Sequence, residues 1–490
     1  MTSRRNLVIA FLQKHMQMLI GAASIIVMAR MVSPQETGIF SIGVAVTSVT
    51  HAVRDFGVGN YLIKEPEPSH EKVRTAFAIS FLLAVTLSVA LFAIAGPTAR
   101  FYDQPEVADV IWITTLGLLI SPFSTVNLAL LMRDHRFFDM FKIGMAGTVA
   151  NAVVAVWCAW YGLGATALAL GSLANSLALV VTANLLMPRF GDYRPSLAHW
   201  RPIMRFGMHT TFSGVSEQIG SRAADLIVGK TIGFNAVGIL SRSGTLINLF
   251  QDSVLSSTAP VVLAGMAGEA RKGTALSASL LTAVEYATVV AWPFFAVLAM
   301  FSHDAILVLF GEQWLVAVPY TSILCYAAMI SALSSFYGIA ATATGRVDLL
   351  SRFSLLSQTI RVILIALGAL SGLRAVVIML VVASAINCIL AYAFLNRTAP
   401  VRLGEVTRRL LRSLVVTIVV VAATAPIDIF ANYPSIIRLL IVAVVATVTW
   451  TGAIVVVRHP ASVLLATAWA SIAGWAGTLL PPNLRPRSGP

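Results

Sequence analysis

The sequence has very little charge for its length, since only 11% of its 490 residues are Asp, Glu, Lys or Arg. A typical soluble domain is about 25% charged and about 45–50% apolar, whereas 58% of this chain is hydrophobic. The chain therefore lacks the polar side chains that a water-exposed surface needs. Apolar runs of about 20 residues, the length that crosses the hydrocarbon core as a helix, recur instead. These features exclude a soluble enzyme, a disordered chain and a coiled coil, and they indicate an all-α polytopic membrane protein.

Catalytic and cofactor motifs are also missing. The sequence contains no Walker loop, no G-x-S-x-G elbow and no G-x-G-x-x-G fingerprint, and its eight histidines are scattered without the H-x-x-x-H spacing of a metal site. The three cysteines lie in apolar runs, where they are expected to be small hydrophobes rather than disulfide partners. No polar loop is long enough to form an extramembrane catalytic domain. We therefore expect a protein that is not an enzyme and that needs no cofactor and no metal.

Polar breaks divide the chain into about fourteen candidate spans of about 20 residues. The spans fall near residues 7–30, 38–62, 75–95, 108–131, 143–161, 165–187, 204–229, 237–261, 277–300, 316–342, 353–371, 375–395, 413–430 and 437–457. When the breaks are assigned alternately to the two faces, about 25 Lys and Arg fall on one face and about 5 on the other. Basic loops remain in the cytoplasm.

This asymmetry predicts a multi-pass membrane protein with both termini in the cytoplasm. Because the net charge of +13 is spread over many short loops, with no single basic domain interleaved with aromatics, no nucleic acid partner is expected. The segment 461–480 is ambiguous between a further span and an interfacial helix, and the basic residues after it favour the interfacial helix.

An internal repeat relates the two halves of the chain. Residues 29–41 and 229–241 align without gaps at an offset of 200 residues, so that Gly38 matches Gly238 and Ser41 matches Ser241. Each copy comprises the end of one span, a tight outer loop and the start of the next span. Parallel repeats of this kind are typical of secondary transporters. We therefore expect lobes of about six helices at 1–200 and 201–400, two further helices at 401–460, and an interfacial helix and tail at 461–490.

Several stretches, in this order, resemble the polysaccharide exporters and oligosaccharide flippases of the multidrug/oligosaccharidyl-lipid/polysaccharide superfamily. The stretches are ARMVSPQETGIFSIGVAV (29–46), RDFGVGNYLIK (54–64), LLMRDHRFFDMFKIG (130–144), SRAADLIVGKTIGFNAVGILSRSGTL (221–246), LFGEQWLVAVPYTSIL (309–324) and TGRVDLLSRF (344–353). The resemblance implies two lobes around a cavity that opens alternately to each face. It also implies a location in the bacterial inner membrane and a polyprenyl-diphosphate-linked oligosaccharide as the substrate. The implied partners are membrane lipid and other polysaccharide-assembly proteins.

Ionisable residues inside the spans are the candidate site residues, because a charge in hydrocarbon must face a cavity or pair with another charge. In the second span His51 and Arg54 share one helical face with Asp55 beside them, and Arg242, Asn248 and Asp252 form a similar stripe in the eighth. Arg54 and Arg242 are the first choices for the diphosphate, because the planar guanidinium suits phosphate oxygens. The candidates for substrate binding are Arg54, His51, Arg222, Arg242, Asn248 and Arg361, and those for ion coupling are Asp55, Glu217, Asp225, Asp252 and Glu285.

Structural explanations compete with these roles. Arg222 and Asp225 are spaced i, i+3 on one helix and are as consistent with a mutual ion pair as with substrate contact. Glu285 is either a coupling-ion site or the partner of Arg361 across the bundle. His51 fits a polar lining better than a proton relay.

Rival functions remain open from sequence. A peptidoglycan-precursor flippase or a drug/cation antiporter of the same superfamily would share the architecture. A polytopic polysaccharide polymerase or ligase would share the composition, although it would need a larger outer loop.

Overall fold

The computed structural model describes residues 2–55, 58–65, 69–188, 190–198, 200–271, 277–397, 403–430 and 433–462. Within these ranges every regular element is helical. The segment 461–480, for which the sequence favours an interfacial helix, lies outside the described residues apart from its first two positions.

The first eight helices precede residue 190. They are α1 (Thr2–Met31), α2 (Pro34–Asp55), α3 (Val58–Lys64), α4 (His70–Phe101), α5 (Glu106–Ile120), α6 (Pro122–Arg133), α7 (Phe137–Trp160) and α8 (Gly164–Leu186). A 3₁₀ turn, Phe190–Tyr193, follows α8.

The remaining helices include three irregular segments. The α-helices are α9 (Trp200–Thr231), α10 (Phe234–Phe250), α11 (Ser256–Arg271), α12 (Ser277–Met300), α13 (Ser302–Leu309), α14 (Val318–Ser331), α15 (Tyr337–Ala343), α16 (Val347–Ala369), α17 (Leu373–Leu395), α18 (Leu403–Phe430) and α19 (Ser435–Val456). A π-helical turn, Gln251–Leu255, links α10 to α11. A 3₁₀ segment, Glu312–Ala317, precedes α14.

Nine helical segments in the described ranges are long and apolar enough to cross a membrane, and the bent pair α5–α6 would make ten. The chain is therefore an all-helical, multi-pass membrane protein. Four further helical stretches are not among these nine: α1, whose part Met16–Met31 is apolar but shorter, α2, α9, and α10 continued through α11. The stretches α2, α9 and α10 with the π-helical turn after it contain most of the polar candidate residues.

Two spans that hydropathy predicts as continuous are interrupted. The predicted span 108–131 bends by 50° between α5 and α6, where Pro122 has no N–H to continue the α5 ladder. The predicted span 316–342 divides into α14 and α15, with turns at 332–336. Hydropathy averages over a window and does not detect such breaks.

Contacts divide the chain into two compact units. Unit 1 comprises residues 1–257, 306–324 and 347–387, and unit 2 comprises residues 258–305, 325–346 and 388–490. The largest core of unit 1 is apolar and includes the fully buried Ile42, Ile111 and Trp314. In unit 2, α12, α18 and α19 pack around Val289, Val416 and Ile454, and Trp450 donates a 2.7 Å hydrogen bond to the Val289 carbonyl.

Small residues allow α7 and α8 of unit 1 to pack closely. A Cβ atom added to Gly171 on α8 would lie 2.7 Å from the Cβ of Ala155 and 3.1 Å from the Asn151 carbonyl oxygen on α7. By contrast, a Cβ added to Gly21 on α1 has no neighbour within 4 Å. In membranes, close backbone packing through small residues replaces much of the hydrophobic driving force between helices.

We expect the substitution Gly171→Ala to lower stability by about 1–3 kcal/mol, because α7 and α8 must separate to accommodate the methyl group. Thermal unfolding of the purified protein in detergent measures the change. Gly21→Ala is the matched control and should leave the unfolding temperature unchanged or raise it, since Ala favours helix. Equal effects of the two substitutions would contradict the packing argument.

Candidate functional site

The two copies of the repeat meet each other in unit 1. The first pair of helices breaks between Met31 and Pro34, and the second pair breaks between Thr231 and Phe234, at the same offset of 200 residues. A Cβ on Gly38 would overlap the carbonyl oxygen of Phe234, and a Cβ on Gly238 would overlap that of Pro34. The first turns of α2 and α10 are thus in reciprocal backbone contact, which only glycine at both positions permits.

Arg242 lies on α10, about one turn beyond Gly238, and its side chain is buried. The residue is 8% exposed, and its guanidinium carbon lies 4.7 Å from the ring centroid of Trp314 and 5.2 Å from that of Phe310. Guanidinium is weakly hydrated and stacks well on aromatic faces, which reduces the cost of its burial. Within the described part of the chain, Nε of Arg242 has no hydrogen-bond partner. A buried cation with an unused donor is a candidate anion contact.

The aromatic wall around Arg242 is held by the end of α1. Indole Nε1 of Trp314 donates to the Ala29 carbonyl at 2.6 Å, and the Gln313 amide donates to the same carbonyl at 2.5 Å. Arg30 donates to the Val308 carbonyl at 2.8 Å. These bonds fix the segment 308–317 against α1, so the rings that contact Arg242 are held in place.

Arg222, Asp225 and Arg361 form a second charged group in unit 1. Arg222 Nη1 lies 3.6 Å from Asp225 Oδ2, so the predicted i, i+3 pair is present on α9. Arg361 lies on α16, which packs against α9, and its Nε lacks a hydrogen-bond partner among the described residues. One carboxylate therefore balances two arginines, which leaves this group with one excess positive charge.

The α2 stripe is described only in part. Arg54 is half-buried in the last turn of α2, while the side chains of His51 and Asp55 lie outside the described residues. Thr47, one turn before His51, is buried, and its hydroxyl donates to the Gly43 carbonyl of its own helix at 3.1 Å. The Thr47 end of the face that His51 and Arg54 share is therefore buried within the protein.

The α10 stripe runs from a buried to an exposed position. Arg242 is buried, whereas Asn248 and Asp252 are exposed. Asp252 lies in the π-helical turn Gln251–Leu255, where an extra residue per turn shifts the register from the 3.6-residue period. The periodicity that placed Asp252 on the face of Arg242 therefore does not apply beyond Phe250.

Among the other acidic candidates, Glu217 is exposed on α9, and Glu285 on α12 is 1% exposed. Among the described residues, the charged groups that contact Glu285 do not include Arg361. Its carboxylate oxygens lie 3.5 Å from Arg409 Nη1 and 3.7 Å from Arg412 Nη1, both on α18. A carboxylate that faces two arginines is a poor ligand for a second cation. Glu285 instead ties α12 to α18 within unit 2.

His459, just beyond α19, completes this cluster in unit 2. Its Nε2 lies 3.7 Å from Glu285 Oε1, and its Nδ1 accepts a 3.1 Å hydrogen bond from the Ala461 amide. Burial, and then the charge of Arg412, lowers the pKa of His459 to about 4. The imidazole is therefore neutral near pH 7 and acts as a polar neighbour rather than as a third cation.

Sequence reasoning did not identify Arg409, Arg412 and His459, because it assigned all three to cytoplasmic loops. The available signal was their spacing, since Arg409 and Arg412 are i, i+3 on a helix that begins at Leu403 and not at 413. No group of three or more His, Cys, Asp or Glu suited to a metal occurs in the ranges that the structure describes.

We expect the double substitution Arg409→Gln/Arg412→Gln to destabilise the protein by about 3 kcal/mol or more, because it leaves the buried Glu285 carboxylate unpaired. Glu285→Gln should cost less, since Arg409 and Arg412 are partly exposed. Thermal unfolding of the purified protein measures each effect.

Arg408→Gln is the control, because Arg408 is exposed on the same helix and should be neutral. In the triple variant with Glu285→Gln, the loss should be smaller than the sum of the separate losses. Simple additivity would mean that the charges do not interact.

Comparison with known proteins identifies the family. Residues 27–319 match the family described as "Polysaccharide biosynthesis protein". The lipopolysaccharide biosynthesis protein WzxC of Escherichia coli (strain K12) is 22% identical over 383 residues, which cover 76% of each chain. The succinoglycan biosynthesis transport protein ExoT of Rhizobium meliloti (strain 1021) is 24% identical over 61% of this chain and 60% of its own length. The teichuronic acid biosynthesis protein TuaB of Bacillus subtilis (strain 168) is 24% identical over 62% and 63%.

Solved structures show the same fold at low sequence identity. The lipid II flippase MurJ in an inward closed conformation superposes with a TM-score of 0.73 at 14% identity and covers 91% of this chain and 99% of its own. An inward-facing multidrug resistance transporter of the MATE family superposes with a TM-score of 0.58 at 15% identity over 82% of this chain and 99% of its own. The chain therefore has the fold of these transporters, and by its sequence match it belongs to the polysaccharide biosynthesis protein family.

Proposed function

We propose that this protein is a flippase that carries a polyprenyl-diphosphate-linked oligosaccharide across the bacterial inner membrane by alternating access. The names of its relatives support this function, because they concern lipopolysaccharide, succinoglycan and teichuronic acid. The reaction is transport rather than catalysis. Its partners are the lipid-linked oligosaccharide, the surrounding lipid and other polysaccharide-assembly proteins.

The arginine excess in unit 1 is the observation that carries this proposal. Arg222 and Arg361 outnumber Asp225, and Arg242 is buried against aromatic rings. A bare diphosphate cannot enter hydrocarbon unaided, because each charge costs at least several kcal/mol there. Arginines supply the bidentate donors that replace water around phosphate oxygens. The same excess would repel a cationic drug and so disfavours a drug antiporter.

The helix inventory is consistent with about fourteen spans in total, as the length rule predicts. The nine apolar helices and the bent pair α5–α6 are joined in this proposal by four further helical stretches: α1, α2, α9, and α10 with α11. These four are the first two helices of each repeat, a placement that suits helices lining an aqueous path rather than facing lipid. The organisation into lobes at 1–200 and 201–400, with both termini cytoplasmic, belongs to the same proposal.

Exposed polar residues on these helices support an aqueous path. Glu217, Asn248 and Asp252 are exposed although they lie within long helices, and a charged side chain inside a membrane must face water or a partner. In this proposal Arg54, His51, Arg222, Arg242, Asn248 and Arg361 contact the substrate. If transport is coupled to an ion, Glu217 and Asp252 are better placed to bind it than Asp225 or Glu285, which face arginines; the side chain of Asp55 is outside the described residues.

The contact between Gly38 and Gly238 is proposed to close the outer end of this path. The charge asymmetry assigns the loops before α2 and α10 to the outer face, and the two helices meet there through their backbones. Release of substrate to the outside requires this contact to open. The state described is then closed on the outside.

We expect Arg242→Gln to reduce flipping of a labelled polyprenyl-diphosphate sugar in proteoliposomes by about tenfold or more, because one charge-assisted contact to the diphosphate is lost. The assay is run with and without a pH gradient to reveal proton coupling. Arg374→Gln is the control, since Arg374 is exposed on α17 and should leave flipping unchanged.

Wild-type flipping by Arg242→Gln would contradict the role of Arg242. If the wild-type protein failed to flip the sugar substrate but flipped a peptidoglycan precursor, the proposed substrate class would be wrong.

We expect Gly238→Val to open the outer end, because the added side chain cannot fit against the Pro34 carbonyl. In a cysteine-free background, Ser41→Cys on α2 should then react faster with a membrane-impermeant maleimide, since Ser41 is only 8% exposed in the closed state. Gly244→Ala on the same helix is the control, because its Cβ would meet only the Asn248 amide at an ordinary 3.7 Å. Equal labelling of all three proteins would contradict the gate.

A further inference from the structure

Two basic residues at equivalent positions of the repeat each bond to the opposite half of unit 1. Arg30 lies in the last turn of α1 and Lys230 in the last turn of α9, at the offset of 200 residues. Arg30 donates to the Val308 carbonyl in the second half at 2.8 Å. Lys230 donates to the Phe101 carbonyl in the first half. The first helix of each half is therefore bonded to the other half.

Two aromatic side chains make the same exchange in the reverse direction. Tyr102 directly follows Phe101, and its hydroxyl donates to the Leu226 carbonyl of α9 at 3.0 Å. Its counterpart is Trp314, whose indole N–H donates to the Ala29 carbonyl of α1 at 2.6 Å. Both carbonyls lie within the last two turns of their helices. The contacts thus follow the repeat in type as well as in position.

These four hydrogen bonds lie beside the contact between Gly38 and Gly238. Only a short break separates the end of α1 from the start of α2, and the same is true of α9 and α10. The glycine contact joins the first turns of α2 and α10. The four bonds and the glycine contact therefore form one set, the outer closure, at the end of unit 1 that the proposed topology assigns to the outer face.

Trp314 also touches a residue that is proposed to bind substrate. The residue is fully buried, and its ring centroid lies 4.7 Å from the guanidinium carbon of Arg242. The indole N–H is bonded to α1, while the ring contacts the arginine on α10. One rigid ring system therefore connects the outer closure to the buried cation.

The segment that carries Trp314 is bonded to both helices. It begins after Gly311, whose φ of 96° favours glycine. At its other end the Ala317 carbonyl accepts a 3.3 Å hydrogen bond from the hydroxyl of Ser243, the neighbour of Arg242 on α10. The 3₁₀ segment thus bridges α1 and α10, and a movement of one helix away from the other must strain or break one of its bonds.

The position of the Trp314 ring matters for Arg242 because burial of a guanidinium is costly. Contact with an aromatic face offsets part of that cost. Opening of the outer closure separates α1 from the 3₁₀ segment, so the bond between Trp314 and Ala29 breaks. The ring then loses its fixed position, and the surroundings of the Arg242 side chain change with it.

We propose that Trp314 is a positioning residue that couples the outer closure to Arg242. While the closure is intact, the ring holds the guanidinium in place for the diphosphate. Opening frees the ring and weakens that contact, which favours release of the head group on the outer side. This inference rests on the proposed function and adds the link between its gate and its binding site. Because coupling between two sites is reciprocal, loss of the Arg242 guanidinium must also loosen the outer closure.

The coupling is measured by labelling, without transport. Ser41→Cys in a cysteine-free background reports opening, since Ser41 is 8% exposed in the closed state. Its rate of reaction with a membrane-impermeant maleimide added on the outer face is recorded in four proteins. These are the parent, Trp314→Phe, Arg242→Gln and the double variant. Trp314→Phe keeps an aromatic face and removes the indole N–H.

We expect Trp314→Phe to label about fivefold faster than the parent, because the bond to Ala29 is lost. Arg242→Gln should label about threefold faster, because the ring loses its stacked cation. The double variant should be no faster than Trp314→Phe alone, since the link is already broken.

Trp292→Phe is the matched control. Trp292 lies on α12 in unit 2, and its indole N–H donates to the Met329 carbonyl at 2.9 Å. The same chemical change at this position should leave labelling of the reporter unchanged.

Three results would overturn the coupling. Unchanged labelling in Trp314→Phe would mean that the ring only fills space. Unchanged labelling in Arg242→Gln, or effects that multiply in the double variant, would mean that Trp314 does not transmit between the two sites. Equal acceleration by Trp292→Phe would mean a general loosening of the protein.

Transport separates this inference from the proposed function. In proteoliposomes, Trp314→Phe should raise the concentration of labelled polyprenyl-diphosphate sugar that gives half-maximal flipping, because the binding-competent state is less populated. A wild-type protein that flips no sugar would overturn the proposed function, whereas the labelling rates would still decide the coupling.

A folding defect would not prevent this test. Each variant is first compared with the parent by thermal unfolding. If Trp314→Phe unfolds early, Arg242→Gln decides alone, with Arg374→Gln at an exposed position of α17 as its control. Faster labelling in Arg242→Gln only supports the coupling, and equal rates in the two variants overturn it.

Discussion

Hydrocarbon provides no hydrogen-bond partner for a backbone amide or carbonyl, so each part of the chain that crosses it must be helical. Once formed, such helices gain little from the hydrophobic effect when they associate, and close packing matters more. This constraint explains why small residues occupy the tightest contacts of unit 1. Gly171 lies against Ala155, and Gly38 and Gly238 allow α2 and α10 to touch through their backbones. The last of these contacts brings together equivalent positions of the repeat.

The same low-dielectric medium governs the charges. A carboxylate in this medium requires a partner: Asp225 pairs with Arg222, and Glu285 lies near both Arg409 and Arg412. This arrangement makes neither acid a good site for a metal cation or a sodium ion. It also leaves positive charge in excess, together with Arg242, which stacks on Trp314. An anionic substrate is the physical counterpart of such a surplus, in keeping with a family named for polysaccharide biosynthesis.

Sequence patterns predicted the class of protein and much of its helix plan. Low charge and recurrent apolar runs indicated a polytopic membrane protein, and the repeat located the breaks before Pro34 and Phe234. The patterns failed where geometry departs from a continuous α-helix. A hydropathy window missed the bend at Pro122 and the division of α14 from α15. The π-helical turn Gln251–Leu255 departs from the 3.6-residue period that linked Asp252 to Arg242.

The sequence by itself determined that the protein lies in a membrane and the approximate extent of its apolar helices. It also determined which charged residues need an ion-pair partner or contact with water. These properties depend on composition and on neighbours a few residues apart. Only the tertiary structure decided the partners: Glu285 with Arg409 and Arg412, Arg242 with Trp314, and Gly38 with Phe234. Each of these pairs is separated by more than 70 residues along the chain. The hydropathy of one helix carries no information about which other helix will lie beside it.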